Sequence, residues 1–113
     1  MADGSEAEAR AARFLVANGL VVVARNFRCR LGEIDLVARD GATLVFVEVR
    51  QRRGNVYGGA LASVDRRKQL RLIAAAQVFL SRFASPPPCR FDVVAVQGPE
   101  ATVQWVRDAF AAD

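Results

Sequence analysis

The residues best suited to chemistry are three carboxylates that alternate with apolar residues along two short segments. Glu33 and Asp35 lie in the first segment, and Glu48 lies in the second, two residues before Arg50. Because side chains alternate between the faces of a strand, Glu33 shares a face with Asp35, and Glu48 shares one with Arg50. Carboxylates held close together respond with raised pKa values or by binding a cation. The pattern therefore predicts a Mg²⁺ site.

The turn between the two segments decides how the charged groups face each other. Asp40 and Gly41 are predicted as the two central residues of a tight hairpin, since Asp-Gly is a favoured pair in such turns. That register places Glu48 opposite Glu33 and brings all four charged groups to one face. A three-residue loop would instead separate Asp35 from Glu48.

Composition narrows the classes of chemistry that are open to this chain. At 113 residues, 52% hydrophobic and 25% charged, residues 1–113 are expected to form a single soluble domain. The sequence contains no histidine, which excludes Ser-His and Cys-His nucleophiles and zinc sites built on histidine. Cys29 and Cys89 lack metal-ligand spacing and are interpreted as reduced thiols. With no membrane-length apolar run and no signal-peptide pattern, we expect a cytoplasmic protein without a membrane partner.

Positive charge follows directly after the acidic segments. The net charge is +4, carried by 15 arginines and a single lysine against 12 acids. A basic surround next to an acidic centre fits a phosphate backbone, although the same clusters also suit the solvated faces of a loop and a helix. The candidate nucleic-acid contacts are Arg52, Arg53, Arg66, Arg67, Lys68 and Arg71.

Two helices are predicted from their caps and apolar spacing. Ser5 and Glu8 form a capping box for a helix from about residue 5 to about residue 18, which Gly19 ends. Ser63 is the predicted N-cap of a second helix that reaches about residue 83 and carries its cations in the first turns. The positions that follow helical spacing in it are Leu70, Ile73, Ala74, Gln77 and Leu80.

Strands account for the remaining regular segments. One is predicted at about residues 21–27, the acidic hairpin supplies two more, and two follow at about 90–96 and 102–106. Trp105 and Phe110 are assigned to the core. The order helix, three strands, helix, two strands predicts an α/β sandwich around a mixed sheet.

Several motifs, in order along nearly the whole chain, resemble the YraN family, a bacterial family of predicted endonuclease-like proteins. They are Glu8-x-x-Ala11, Asn26-Phe27-Arg28-Cys29-Arg30, Gly32-Glu33-Ile34-Asp35-Leu36, Phe46-Val47-Glu48-Val49, Val64 with Lys68, and Arg90-Phe91-Asp92-Val93-Val94. The spacing from Asp35 to Glu48-Val49-Arg50 is similar to the PD-(D/E)xK nuclease core. The resemblance implies a restriction-endonuclease-like fold, with a mixed five-stranded sheet flanked by two main helices.

The same resemblance implies an activity and a set of site residues. In PD-(D/E)xK nucleases an Asp and a later Glu hold Mg²⁺, and a Lys two residues beyond works beside them. By this resemblance, Mg²⁺ or Mn²⁺ is held by Asp35, Glu48 and the Val49 carbonyl. Glu8 either supports the metal or is present only for its predicted capping box with Ser5. Arg50 departs from the pattern because Arg, unlike Lys, cannot lose its proton, although it binds phosphate well.

Each site residue also has an alternative interpretation. Glu33 either holds a second metal or a water, or is an exposed carboxylate at the strand edge. Asp35 and Glu48 form either a metal site or a structural ion-pair network with Arg50. Lys68, the single lysine, either reaches the metal site or is a surface residue.

Three functions are therefore weighed. The first is a Mg²⁺-dependent endonuclease acting on nucleic acid, with branched or flap-containing DNA as the expected form. Because cutting a duplex often needs two active sites, this hypothesis includes a homodimer. The second is a nucleic-acid-binding module that has lost hydrolysis through Arg50, and the third is a scaffold that recruits proteins through its sheet edge.

Overall fold

The computed structural model describes residues 4–52, 64–98 and 102–112. The elements of these segments are α1 (Gly4–Ala17), β1 (Val21–Cys29), β2 (Gly32–Asp40), β3 (Thr43–Arg52), α2 (Arg66–Leu80), β4 (Cys89–Gln97) and β5 (Thr102–Phe110). This order confirms the predicted α/β class with a five-stranded mixed sheet and two helices. Neither helix has the length and apolarity that a membrane crossing requires. Cys29 and Cys89 are both free thiols, as predicted.

The strands lie in the sheet in chain order, β1 to β5. Neighbouring strands are antiparallel except β3 and β4, which are parallel and are joined through α2. A parallel pair needs such a crossover, because its strands run in the same direction. Residues 44–48 of β3 are buried without alternation, which is typical of a central strand covered on both faces. A charged side chain in this stretch is therefore enclosed by protein.

The two helices cover opposite faces of the sheet. On the α1 face, Leu15 packs with Leu36 and Val45 in one buried cluster. On the α2 face, Phe79 packs with Phe46 in another, their ring centroids 5.9 Å apart. The predicted core aromatics also find ring partners, since Trp105 packs edge-on against Phe14 and Phe110 stacks on Phe91.

The β2–β3 turn differs from the prediction by one residue. Asp40 pairs with Thr43, so the two central residues are Gly41 and Ala42 rather than Asp40 and Gly41. Gly41 has a φ of 61° at the first central position, where type II′ turns place glycine. Asp40 stays in the strand, where its carboxylate accepts a hydrogen bond from Arg90 at 2.9 Å.

This turn shifts the predicted pairing of β2 with β3 by two residues. Leu36 lies opposite Val47, and continuing that register places Glu48 across from Asp35 instead of Glu33. A shift of two residues leaves every side chain on its original face, since strand alternation has a period of two. The correction therefore brings Asp35 closer to Glu48 than predicted.

Both helix starts also differ from the predictions. The first helix begins at Gly4, so Ser5 lies inside its first turn and is not its N-cap. The second helix is capped by Asp65, whose side chain accepts a hydrogen bond from the Lys68 backbone N–H at 2.9 Å. Ser63, the predicted cap, lies outside the described residues.

The apolar stripe predicted for α2 is partly wrong. Leu70 and Gln77 are exposed, whereas Ile73 is buried as predicted. Phe79 fixes the rotation of the helix, because its ring packs edge-on against Phe46 and Phe27 of the sheet. The buried residues of α2 are Leu72, Ile73, Ala75, Ala76 and Phe79.

A buried ionic network lies on the α1 face. The Asp92 carboxylate is fully buried and accepts hydrogen bonds from Arg90 Nε at 3.0 Å and Arg90 Nη2 at 3.2 Å. It also accepts from Trp105 Nε1 and from the Asp108 backbone N–H, each at 2.9 Å. Because Arg90 also donates to Asp40 of β2, the network joins three strands across the sheet.

Candidate functional site

A cleft of about 550 Å³ opens where the second half of β3 meets the start of β2 and the first turns of both helices. It contains every residue predicted for catalysis, together with the predicted ligand Val49. The cleft therefore gathers residues from four elements that are far apart in the sequence. The six predicted catalytic residues that line it are Glu8, Glu33, Asp35, Glu48, Arg50 and Lys68.

Asp35 reaches the cleft through an irregularity in the first two strands. Ile34 and Val37 both pack on the α2 face although they are three residues apart, whereas Leu36 packs on the α1 face. Alternation therefore breaks at Asp35, and Asn26 of the neighbouring strand has a left-handed φ of 53° at the same level. Local irregularities of this kind re-aim side chains and are common beside active sites.

The neighbouring strand holds the Asp35 carboxylate in place. Asp35 Oδ2 accepts a hydrogen bond of 2.8 Å from the backbone N–H of Val49. Because that donor belongs to the residue after Glu48, the backbone of β3 fixes the position of Asp35 relative to Glu48. Two carboxylates on adjacent strands are thus oriented by main-chain geometry.

Glu48 is buried and has two cationic neighbours. Its side chain is on the α2 face, where Oε2 lies 3.4 Å from Arg50 Nη1 and 3.9 Å from Lys68 Nζ. Only 7% of the residue is exposed. Both distances exceed the usual 2.7–2.9 Å, roughly, of a close charge-assisted hydrogen bond, so neither cation binds the carboxylate tightly.

Burial and mutual repulsion raise the pKa values of the two central acids of the cleft. Burial raises the pKa of Glu48 to about 7, and the negative charge of Asp35 adds to this against the opposing effect of Lys68 and Arg50. Burial also raises the pKa of Asp35 more than the Val49 N–H lowers it. Ionisation of both acids at once is therefore disfavoured in the metal-free protein.

Glu8 joins this acidic group from α1. Burial and the charge of Asp35 raise the pKa of the Glu8 carboxyl, and the side chain of Asn26 opposes this. Because Ser5 lies inside α1 and is not its N-cap, the predicted capping box does not account for Glu8. Its side chain lines the cleft.

The donor chemistry fits a hard divalent cation. Asp35 and Glu48 offer carboxylate oxygens, and Mg²⁺ is often bound by one or two carboxylates with several waters retained. In residues 4–52, 64–98 and 102–112, no group of three or more acidic or cysteine side chains is arranged to hold a metal ion by itself. The two carboxylates and the Val49 carbonyl are thus the residues that would hold Mg²⁺ or Mn²⁺.

Glu33 lies at the edge of the cleft and differs from the other acids. It is exposed, and its Oε2 lies 3.4 Å from Arg28 Nε in an equally exposed ion pair. Exposed pairs of this kind contribute little to stability. Its position corresponds to the alternative of an exposed carboxylate at the strand edge.

The predicted phosphate contacts divide into three groups. Arg67, Lys68 and Arg71 line the cleft from α2. Arg66 instead donates to Gln69 and to the Ala111 carbonyl, away from the cleft. Arg53 and the side chain of Arg52 lie outside the described residues.

Three residues that support the site were missed in the sequence. Asn26 was the detectable one, because asparagine tolerates a left-handed backbone that is unusual within a strand. Asp65, three residues before Lys68, is of a residue type that is favoured at N-caps. A Cβ on Gly32 would overlap the backbone carbonyl of Arg71, so glycine allows β2 and α2 to approach closely, and no local signal reveals such a contact.

Comparison with known proteins places this chain in a family. Residues 7–96 match the model of the uncharacterised protein family UPF0102. A UPF0102 protein of Methylobacillus flagellatus is 52% identical over 110 residues, which cover 96% of each chain. One of Ralstonia pickettii is 56% identical over 117 residues, covering 99% of this chain and 92% of the relative. The resemblance to YraN proteins is thereby confirmed, and the chain belongs to the UPF0102 family.

Proposed function

We propose that this protein is a divalent-metal-dependent endonuclease that hydrolyses phosphodiester bonds in nucleic acid, with branched or flap-containing DNA as its substrate. One observation carries the proposal. Asp35 and Glu48 lie side by side, largely buried and with raised pKa values, in a cleft that also carries exposed cations from α2. Such a site suits a metal bound between acidic residues and a phosphate bound by basic ones.

The residues of the cleft have distinct roles in this proposal. Asp35 and Glu48 hold the cation, which when bound supplies Lewis-acid polarisation of the phosphate and a more acidic water. The Val49 N–H keeps Asp35 in position through its 2.8 Å hydrogen bond. Arg50 binds a phosphate oxygen pair through its planar guanidinium, and Arg71 contacts the backbone farther along.

Cleavage assays test this proposal directly. Flap-containing DNA labelled at one end is incubated with Mg²⁺ and wild-type protein, Asp35→Ala or Glu48→Ala. We expect metal-dependent cleavage by the wild type and a loss of at least about 100-fold in both variants, since each removes a cation ligand. Glu6→Ala is the control, because Glu6 lies on α1 outside the cleft and pairs with Arg10. Cleavage that persists in both cleft variants contradicts the proposal.

Arg50 favours a second candidate function, a nuclease-fold module that binds nucleic acid without cutting it. The guanidinium stays protonated and cannot exchange a proton with water, whereas the Lys that the resemblance implies at this position can. The Arg50→Lys variant separates the two candidates. Cleavage gained by Arg50→Lys from an inactive wild type supports the binding module, and cleavage already present in the wild type excludes it.

A further inference from the structure

One oxygen of Glu48 is shared by two cations from different elements. Arg50 approaches Oε2 from the same strand, and Lys68 approaches it from the first turns of α2. The side chain of Lys68 is about half exposed, at 48%, while that of Glu48 is 10% exposed. Lys68 therefore connects a buried carboxylate to the open part of the cleft.

A divalent cation bound to Glu48 would weaken the pairing of Lys68 with that carboxylate. Whichever oxygen the cation takes, it would lie close to the ammonium and repel it at short range. Lys68 has a flexible four-carbon stem, and only its backbone is fixed, through the N–H bond to the Asp65 cap. The ammonium can therefore move into the cleft without any change in α2.

We propose that Lys68 is a positioning residue that exchanges partners, pairing with Glu48 in the metal-free protein and with a phosphate of the nucleic acid once a divalent cation occupies Asp35 and Glu48. This inference rests on the proposed function of the cleft. It makes cation binding and nucleic-acid binding mutually favourable, because each event removes a competitor of the other. By linkage, the coupling has the same magnitude in both directions.

Arg67 provides a matched comparison. It precedes Lys68 in α2, lines the same cleft and is exposed. Within the described part of the chain, it forms no ion pair with the cleft acids. Loss of Arg67 removes one positive charge from nucleic-acid binding but removes no competitor from the metal site.

The test measures two affinities by calorimetry at about pH 8, above the pKa of Glu48, so that protons do not compete. The probes are Ca²⁺, which takes the same oxygen ligands as Mg²⁺ in looser geometry, and a short single-stranded oligonucleotide. The proteins are wild type, Lys68→Met, Lys68→Arg and Arg67→Met. Each protein is titrated with Ca²⁺ alone. Each is also titrated with the oligonucleotide in the presence and in the absence of saturating Ca²⁺.

The expected results have opposite signs for the two ligands. Ca²⁺ tightens oligonucleotide binding to the wild type by about fivefold or more, and Lys68→Arg retains most of this coupling. Lys68→Met binds Ca²⁺ more tightly than the wild type, yet it loses most of the coupling. In Arg67→Met the Ca²⁺ affinity is unchanged, and oligonucleotide binding weakens by the same factor with and without Ca²⁺. A purely structural role for Lys68 would not raise the Ca²⁺ affinity.

Two other results would overturn the inference, and they are distinguishable. If Lys68→Met binds Ca²⁺ no more tightly than the wild type, or keeps the full coupling, then Lys68 does not exchange partners even though the metal site stands. If the wild type binds no Ca²⁺, or Glu48→Gln binds it equally well, then the proposed function fails as well.

Discussion

Two buried acidic groups in this protein lie on opposite faces of the same sheet and have different surroundings. Asp92 on the α1 face is completely enclosed and accepts four hydrogen bonds of 2.9–3.2 Å, two of them from Arg90. Glu48 on the α2 face is nearly as buried, but its cationic neighbours are 3.4 and 3.9 Å away and Asp35 lies beside it. A buried carboxylate is thus closely hydrogen-bonded at Asp92 and only loosely paired at Glu48.

This difference distinguishes a structural ion pair from the proposed binding site. A buried charge is tolerated when its hydrogen-bonding capacity is filled, as it is for Asp92. Glu48 retains a raised pKa because burial and repulsion from Asp35 exceed the attraction of its cations. The alternative in which Asp35 and Glu48 form a structural network therefore describes Asp92 and Arg90 better than it describes the cleft.

The largest effect should come from breaking the satisfied group. Asp92→Asn leaves the partly buried Arg90 without its main counter-charge and turns an amide N–H₂ toward other donors. We expect it to lower the free energy of unfolding by about 3–5 kcal/mol. Glu48→Gln removes a repelled carboxylate and should leave the free energy of unfolding at neutral pH unchanged or higher. Urea unfolding measures the free energy of unfolding of both variants. Equal losses of this free energy in the two variants would contradict the difference between Asp92 and Glu48.

A second substitution tests whether the cleft depends on the contact between β2 and α2. In Gly32→Ala the new methyl group overlaps the Arg71 carbonyl, so α2 must shift, at a cost of about 1–3 kcal/mol. We expect weaker Mg²⁺ binding together with this loss, because the shift moves elements that line the cleft. Calorimetry and urea unfolding of the same samples measure both effects.

Gly41→Ala is the matched control for that substitution. Its added Cβ meets nothing within 4 Å and adds only the cost of a left-handed φ, about 1 kcal/mol. The turn at Gly41 is remote from the cleft, so Mg²⁺ affinity should stay at the wild-type value. Equal loss of Mg²⁺ affinity in both variants would mean that the effect of Gly32→Ala is not specific to the cleft.

The metal-free protein should also show a pH dependence of its stability. The folded pKa of Glu48, about 7, lies above its ordinary value of 4.5, so between these pH values the folded state binds more protons than the unfolded state. Stability from this group is therefore complete below about pH 4.5 and is lost as pH rises from there through 7, by about 3 kcal/mol. Thermal unfolding across this range should show a decline that Glu48→Gln flattens. An identical decline in Glu48→Gln would assign the effect to other groups.

Much of the fold follows from local sequence signals. Gly19 ends α1 with a φ of 94°, as its position predicted, and alternation placed the acidic segments correctly in β2 and β3. The rotation of α2 did not follow from its own sequence, because Phe79 is oriented by Phe46 and Phe27 from other strands. The presence of an element was therefore predictable where its determinants are local. The face that a helix buries was not predictable where aromatic residues of other strands determine its orientation.

The members of the site were predictable, but their geometry was not. Spacing and family resemblance identified Asp35, Glu48 and Lys68 as candidates, and the cleft brings all three together. The position of Glu8 beside Asn26 could not be predicted without knowing that Asn26 is a left-handed residue within a strand. A one-residue error in the turn also changed which acids face each other, because hairpin register depends on the choice of central residues.

Calorimetric titration of Mg²⁺ at about pH 8 tests the central claim most directly. The claim is that Glu48 and Asp35 are loosely paired because they form a cation site, whereas Asp92 and Arg90 form a closely hydrogen-bonded structural pair. We predict one Mg²⁺ bound per wild-type chain, loss of binding in Glu48→Gln, and unchanged binding in Glu6→Gln outside the cleft. A wild-type protein that binds no Mg²⁺, or a Glu48→Gln variant with wild-type affinity, would contradict the claim.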